Sequence, residues 1–192
     1  MTAMAKDDDV RESTRERLLK CARQLFAMHS FAGTSLQMIA DRIGVTKAAV
    51  YHHFKTRDEI LDAVIKPAIG ELITLIDEAE KLRGHHARAE AMITGFAGLA
   101  VKHRDLITLM SADPGVISVL GQREDFGELL YRPLLLLARD SEDPVERIRA
   151  NAVMACLATT AASILLDDVD GETMRTTLID VGHRILGLRR RR

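Results

Sequence analysis

The sequence predicts an all-α protein in two parts, a three-helix head at the N-terminus and a larger helical body behind it. Three observations carry this expectation. Helix-start signals recur at short intervals, as Ser13 with Glu16, Thr34 with Gln37 and Thr56 with Glu59. Each pair has the spacing of a capping box, in which a hydroxyl and an acid or amide satisfy each other's backbone donors. No stretch alternates apolar and polar residues at every second position with β-branched enrichment, so no sheet is expected. The 192 residues include 5 Phe, 2 Tyr and no Trp. A core must then come from Leu, Ile, Val, Ala and Met, which favours helices.

The elements follow in order. Residues 1–10 are polar and acidic and are expected to be disordered. Leu18, Leu19, Ala22, Leu25 and Phe26 then recur at helical spacing, and Gly33 breaks the run. A short helix opens at the Thr34–Gln37 pair, turns Leu36, Ile39, Ala40 and Ile43 inward and ends at Gly44, a residue suited to a left-handed cap. Thr46 is a good N-cap for the next short helix, through about His53. A long helix should run from Thr56 to about Leu82, with Pro67 inside it, where the missing N–H bends a helix. Further helices are expected near 86–102, 104–111, 115–121, 123–139, 143–166 and 171–187. They are separated by Gly84, Asp113-Pro114-Gly115, Asp140–Pro144 and Asp167–Gly171. Four arginines, 189–192, form a basic tail.

Charge divides the chain at the same place as the pattern. The formal net charge is −1, but residues 11–57 hold nine bases and three acids, a balance of +6. Residues 58–188 hold 13 bases and 22 acids, a balance of −9. A basic head before an acidic body suggests that one part meets a polyanion and the other does not. With 47% hydrophobic and 29% charged residues the composition is that of a globular protein. Cys21 and Cys156 are too few for a disulfide framework or a cysteine-rich metal site. No signal peptide and no bilayer-length apolar run is visible, so a cytoplasmic protein is expected.

The span from Thr34 to Phe54 has the spacing of a helix-turn-helix. Ala40 is small enough for two helices to touch, and Gly44 allows positive φ in the turn. The second helix then offers Thr46, Lys47, Ala48, Tyr51 and His52 outward, with Lys55 just beyond. In this motif the N-terminal part of the second helix reaches base edges in the major groove, while hydroxyls and cations around it, Ser35 included, grip phosphates. Phe54 reads as core. The expected domains are a head at 11–56 and a body at 57–188.

The stretch TRERLLKCARQLFAMHSFAGTSLQMIADRIGVTKAAVYHHFKTRDEILDAV, Thr14 to Val64, resembles the DNA-binding domain of TetR-type transcriptional regulators. The resemblance rests on the Leu25-Phe26 pair before a Gly-containing loop, the Thr34-Ser35 entry to Ile39-Ala40, the Gly44–Lys47 turn, the Tyr51–Phe54 core and the Lys55–Ile60 lead into the fourth helix. It implies a homodimeric repressor that binds a palindromic operator in double-stranded DNA and carries a helical effector-binding and dimerisation domain. By the family pattern Thr34, Tyr51 and one of His52 or Lys55 would contact phosphate, and Lys47 and Ala48 would lie near bases. Ala48 offers only apolar contact, for example to a thymine methyl.

The last two long helices are expected to form the dimer interface. The first is rich in small residues (Ala150, Ala152, Ala155, Ala158, Ala161, Ala162), and the second carries Met174, Leu178, Val181, Ile185 and Leu188 on one stripe. Candidate residues around a hydrophobic or amphipathic effector are Met92, Phe96, His103, Met110, Phe126, Tyr131, Met154 and Thr159. No cofactor and no metal is expected; the neighbours His52 and His53 point about 100° apart on a helix and do not form a chelate. The chain has no G-x-S-x-G, Walker, G-x-G-x-x-G or H-E-x-x-H sequence, so an enzyme is not expected. The alternative to a ligand-relieved repressor is a constitutive DNA-binding protein without an effector.

Overall fold

The computed structural model describes residues 13–188. The expected N-terminal disorder and the arginine tail lie outside them. Ten α-helices and one 3-10 turn make up the described structure, with no strand among the described residues. They divide into two compact units, one running to Val64 and the other starting at Ile65.

The first unit holds α1 (Thr14–Gly33), α2 (Leu36–Ile43), α3 (Lys47–His53) and the first residues of α4 (Arg57–Glu80). Ser13 and Glu16 close the capping box of α1, with Glu16 N–H donating to Ser13 Oγ at 3.2 Å and Ser13 N–H to Glu16 Oε2 at 2.8 Å. Leu18, Ala22, Phe26, Ile39 and Val50 are fully or almost fully buried between the helices. Ile60, Leu61 and Val64 of α4 are buried in this unit too. Each large side chain so buried contributes roughly 1.5–3 kcal/mol.

Two details differ from expectation. Helix α1 ends at Gly33 as expected but is already kinked at Ser30, which has φ 63° and ψ 164°, the one positive φ outside glycine among the described residues. Its hydroxyl accepts from Gly33 N–H at 3.1 Å, and its carbonyl accepts from the Thr34 hydroxyl at 2.8 Å. Those bonds offset the cost of an unfavourable backbone region. Thr34 is thereby drawn inward, and the N-cap of α2 is Ser35, whose Oγ accepts from Met38 N–H at 3.1 Å. Gln37 donates to Asp41 instead of reaching back, so the Thr34–Gln37 box does not form.

The second unit contains the remainder of α4 with α5 (His85–Lys102), α6 (Arg104–Ala112), α7 (Pro114–Gly121), α8 (Glu124–Leu137), α9 (Pro144–Ala161) and α10 (Gly171–Leu186). Helix α5 lies at its centre, against α8, α9 and α10. Ala89, Met92, Ile93, Ala97 and Ala100 of α5 are wholly buried. Gly182 lets α10 approach α5 closely: a Cβ there would lie 2.8 Å from Ile93 Cγ2. Arg132 of α8 grips α4 through Asp77 at 2.7 Å and Glu80 at 2.9 Å.

Helix α9 ends at Ala161, short of the expected 166. Ser163 adopts an extended backbone, and Ile164–Leu166 forms the 3-10 turn. Ile164 and Leu165 are 80% and 86% exposed, so the apolar spacing that suggested a longer helix does not mark core there. The α10 stripe differs from expectation in another way: Met174 and Leu178 are buried in the unit's own core. No helix is long and apolar enough to cross a membrane among the described residues.

Candidate nucleic-acid interface and ligand cavity

The turn between α2 and α3 is built around Gly44, with φ 73° and ψ 37°. Its N–H caps the Asp41 carbonyl at 3.3 Å, and Val45 N–H caps that of Ala40 at 3.0 Å. Arg17 of α1 donates to the next free carbonyl, Ile43, at 3.0 Å. These bonds satisfy the α2 end and fix where α3 starts. Thr46 caps α3, its Oγ1 accepting from Ala49 N–H at 3.2 Å.

Helix α3 buries Val50, and Phe54 follows it into the core under the Arg15 guanidinium. The other face is open. Thr46, Lys47, Ala48, Tyr51, His52 and Lys55 are all exposed. Lys47 Nζ lies 5.6 Å from the Tyr51 ring centroid, and Lys55 Nζ donates to the Tyr51 carbonyl at 2.6 Å. One ammonium thus lies near the Tyr51 ring and another on the Tyr51 backbone. Ser35, at the entry of α2, is exposed as well. Thr34 is 1% exposed with its hydroxyl committed to Ser30, so it is the one candidate of the head whose side chain the fold removes from the surface.

The start of α4 is joined to these elements by Thr56, whose Oγ1 accepts from Glu59 N–H at 3.1 Å. The reciprocal half of the expected box is displaced by one residue: the Glu59 carboxylate accepts from Lys55 N–H at 2.7 Å. Arg57, next in sequence, donates to the carbonyls of Phe31, Ala32 and Thr34.

In the second unit a cavity of about 450 Å³ opens among α4, α5, α6, α8 and α9. Phe96, His103, Met110, Phe126 and Met154 of the sequence candidates line it. Three candidates do not. Met92 is fully buried in the helical core. Tyr131 is 52% exposed and faces a separate surface groove between α8 and α9. Thr159 is exposed, with its hydroxyl donating to Ala155 carbonyl. Spacing along α8 and α9 identified apolar or hydroxyl faces but not which face turned inward. Lining residues that spacing missed include Ile69 and Leu72 on α4 and Leu129 on α8; as ordinary aliphatic residues they carried no distinguishing signal.

His103 follows α5 directly and is mostly buried, its Nε2 3.3 Å from Glu71 Oε2. That contact is one of the two that lower the Glu71 pKa, the smaller of them. Both Glu71 oxygens also accept from Lys102, at 2.8 and 2.9 Å. This ammonium holds the Glu71 carboxyl below its ordinary pKa, against a smaller opposing effect of burial. No group of three or more His, Cys, Asp or Glu side chains is arranged to hold a metal among the described residues. Cys21 and Cys156 are free thiols.

Residues 18–64 match the family model described as bacterial regulatory proteins, tetR family. The match lies within the N-terminal unit and covers its three-helix head and the start of α4. The HTH-type transcriptional regulator Rv1816 of Mycobacterium tuberculosis is 32% identical over 76 residues, which cover 40% of this chain and 32% of the relative. The HTH-type transcriptional repressor KstR2 of Mycolicibacterium smegmatis is 31% identical over 80 residues, covering 38% of this chain and 39% of the relative. The chain thus spans about a third of the length of these curated relatives in the matched region. The TetR-like fold extends further. The crystal structure of AmtR from Mycobacterium smegmatis superposes with a TM-score of 0.68 at 22% identity, covering 97% of this chain and 92% of that one. The TetR-family regulator PfmR of Thermus thermophilus gives 0.65 at 22% identity, covering 94% and 99%.

Proposed function

We propose that this chain is a TetR-family, sequence-specific, DNA-binding transcriptional regulator of the cytoplasm, a repressor whose operator binding a small molecule relieves. The observation that carries the reading is the exposed α3 face, where Lys47, Tyr51, His52 and Lys55 stand free of the core. Lys47 and Ala48, in the first turn, are suited to base edges. Ser35, Tyr51, His52 and Lys55 are suited to phosphates. Thr34 drops out of this contact set because its hydroxyl is already bonded inside the head. The matched relatives are named as regulators or repressors, which supports the same reading.

The regulator acts as a homodimer through α9 and α10. Support comes from α9, which buries Ala150, Val153 and Leu157 but exposes Val145, Ile148, Ala152 and Ala155 along its outer side. Because Met174 and Leu178 of α10 are used inside the subunit, the outer side of α10 rather than its apolar stripe meets the partner. A two-fold pair of heads would read half-sites one helical turn apart. The cavity favours an effector-controlled regulator over a constitutive DNA binder. Helix α4 supplies Ala68, Ile69 and Leu72 to its wall, and the same helix begins in the head. A ligand that binds one conformer of α4 better than another shifts the operator-competent population by that difference in affinity.

Selection of bound duplexes from a random library by the full chain tests this. The expected product is an inverted repeat, released when the effector is added. Enrichment of no sequence overturns the regulator; an isolated half-site overturns the dimer.

A further inference from the structure

We propose that the turn between α9 and α10 is a docking knob for a second copy of this chain. Ile164 and Leu165 of each subunit enter the groove between α8 and α9 of the other. The proposal rests on the reading of α9 as a dimer helix and names what the partner contributes there.

The knob is held in place by its own subunit. Arg104 Nη2 of α6 donates to Asp167 Oδ1 at 2.5 Å and to the Ser163 carbonyl at 3.4 Å. The same carbonyl accepts from Leu166 N–H at 3.2 Å and closes the turn. Between these anchors stand Ile164 and Leu165, the two most exposed large apolar side chains among the described residues. Exposed apolar surface of this kind marks a contact, and a fixed projection loses little conformational freedom when it is covered.

The groove has about 580 Å³, with Tyr131, Leu134, Leu135, Ile148 and Ala152 on its walls. Arg147 is its one charged lining residue and forms no ion pair among the described residues. Asp168, exposed beside the knob, is likewise unpaired among them. The acids of the turn before α9 are engaged locally. Asp140 and Asp143 accept from nearby backbone N–H groups, Glu146 pairs with Arg149, and none of the three lines the groove.

Within one subunit the knob and the groove cannot meet. Helix α9 rises by about 20 Å between Ile148 and Ala161. A second copy brings them together. Ala152 and Ala155 are exposed and small, so two α9 helices can approach closely there. Ile148 lies seven residues before Ala155, and Ile164 lies nine after it. Antiparallel packing about a two-fold near Ala155 therefore sets each knob on the other copy's groove. It also opposes the helix dipoles and sets Arg147 beside Asp168 of the partner subunit. Parallel packing would leave both knobs in water and set Arg147 against its own copy. Leu134 and Asn151 line both the groove and the ligand cavity, so the docked knob rests on the wall of the partner's effector site.

The test combines sedimentation equilibrium with disulfide trapping of the full chain, without DNA. Ile164→Ser with Leu165→Ser should raise the dimer Kd at least about tenfold. Both side chains are exposed in the single subunit, so its circular dichroism should not change. Arg147→Glu should raise the Kd about 3- to 10-fold, and adding Asp168→Arg should recover most of that loss. For trapping, Cys21 and Cys156 are first replaced by alanine. A disulfide needs its two Cα atoms within about 7 Å, so it reports neighbours. A mixture of the Ile148→Cys and Leu165→Cys chains should then give a cross-linked dimer on mild oxidation, and the Leu165→Cys chain alone should not. Self-cross-linking of Leu165→Cys as the main product shows parallel packing and overturns the proposal. So does a dimer whose Kd is unchanged by the paired serine substitutions, although that result leaves the dimeric regulator standing. A chain that stays monomeric at every concentration overturns both.

Discussion

The Arg57 guanidinium lies 5.2 Å from the centroid of the Phe31 ring while its Nη1 donates to the Phe31 backbone carbonyl at 3.2 Å. The same nitrogen reaches Ala32 carbonyl at 2.7 Å and Thr34 carbonyl at 3.1 Å. One side chain at the start of α4 thus gathers three carbonyls of the turn that follows Ser30. Arg57→Ala should cost the head about 1–3 kcal/mol in chemical denaturation, since hydrogen bonds to a charged donor are lost at a half-buried site. Arg57→Lys should recover only part, because a compact ammonium cannot reach the three carbonyls and keep a planar group over the Phe31 ring at once. Full recovery by lysine would show that charge alone matters.

Gly44 is the second point on which the head depends. A Cβ built there meets nothing within 4 Å, so a larger residue is opposed by the backbone at φ 73° and not by neighbours. Gly44→Val should destabilise the head by about 1–2 kcal/mol, seen as a lower melting temperature. Gly44→Asn should lose less, since Asn tolerates the left-handed region. Equal losses for the two would mean that the turn relaxes to another conformation.

Lys55 and Tyr51 should act on DNA affinity without regard to sequence. Lys55→Ala should weaken binding about equally for operator and random duplex and lower the salt slope by roughly one. Tyr51→Phe should weaken both duplexes similarly with little change of slope, because a hydroxyl displaces no counterion. A salt titration in which Lys55→Ala matches the parent protein removes Lys55 from the phosphate contacts.

Acid should loosen two helix starts before the rest of the chain. Glu16 is held below its ordinary pKa by the Ser13 backbone N–H and then by its hydroxyl, and Asp170 by the Thr173 hydroxyl and N–H. A carboxyl with a lowered folded pKa stabilises fully above its unfolded value, about 4, and this contribution fades as pH falls through the folded one. Amide exchange at the first turns of α1 and α10 should therefore rise below about pH 4. Ser13→Ala should move the Glu16 titration upward; an unmoved titration would contradict the capping box.

Helix order, the Gly44 turn and the outward face of α3 were legible in the sequence because each follows from local chemistry: a cap, a positive φ, a 3.6-residue period. Thr34 and Ser35 mark where locality ends. Both are hydroxyl residues before an apolar run, and the choice of cap was decided by Ser30, whose backbone turns the Thr34 hydroxyl inward. The cavity shows the same boundary. Phe96, His103 and Met154 stood out by residue type and do line it, whereas Tyr131 stood out equally and faces another groove. Helix rotation is set by packing against distant segments, and residue type carries no record of it.

The outer side of α9 has a further consequence. Val145 and Ile148 are 50% and 68% exposed, so if the chain pairs through α9 as proposed, the single folded subunit would be a sticky precursor and not an end state. Its melting temperature should climb with protein concentration. Abundance would then set how many complete operator-reading pairs exist, giving the cell a response steeper than first order in the amount of chain it makes.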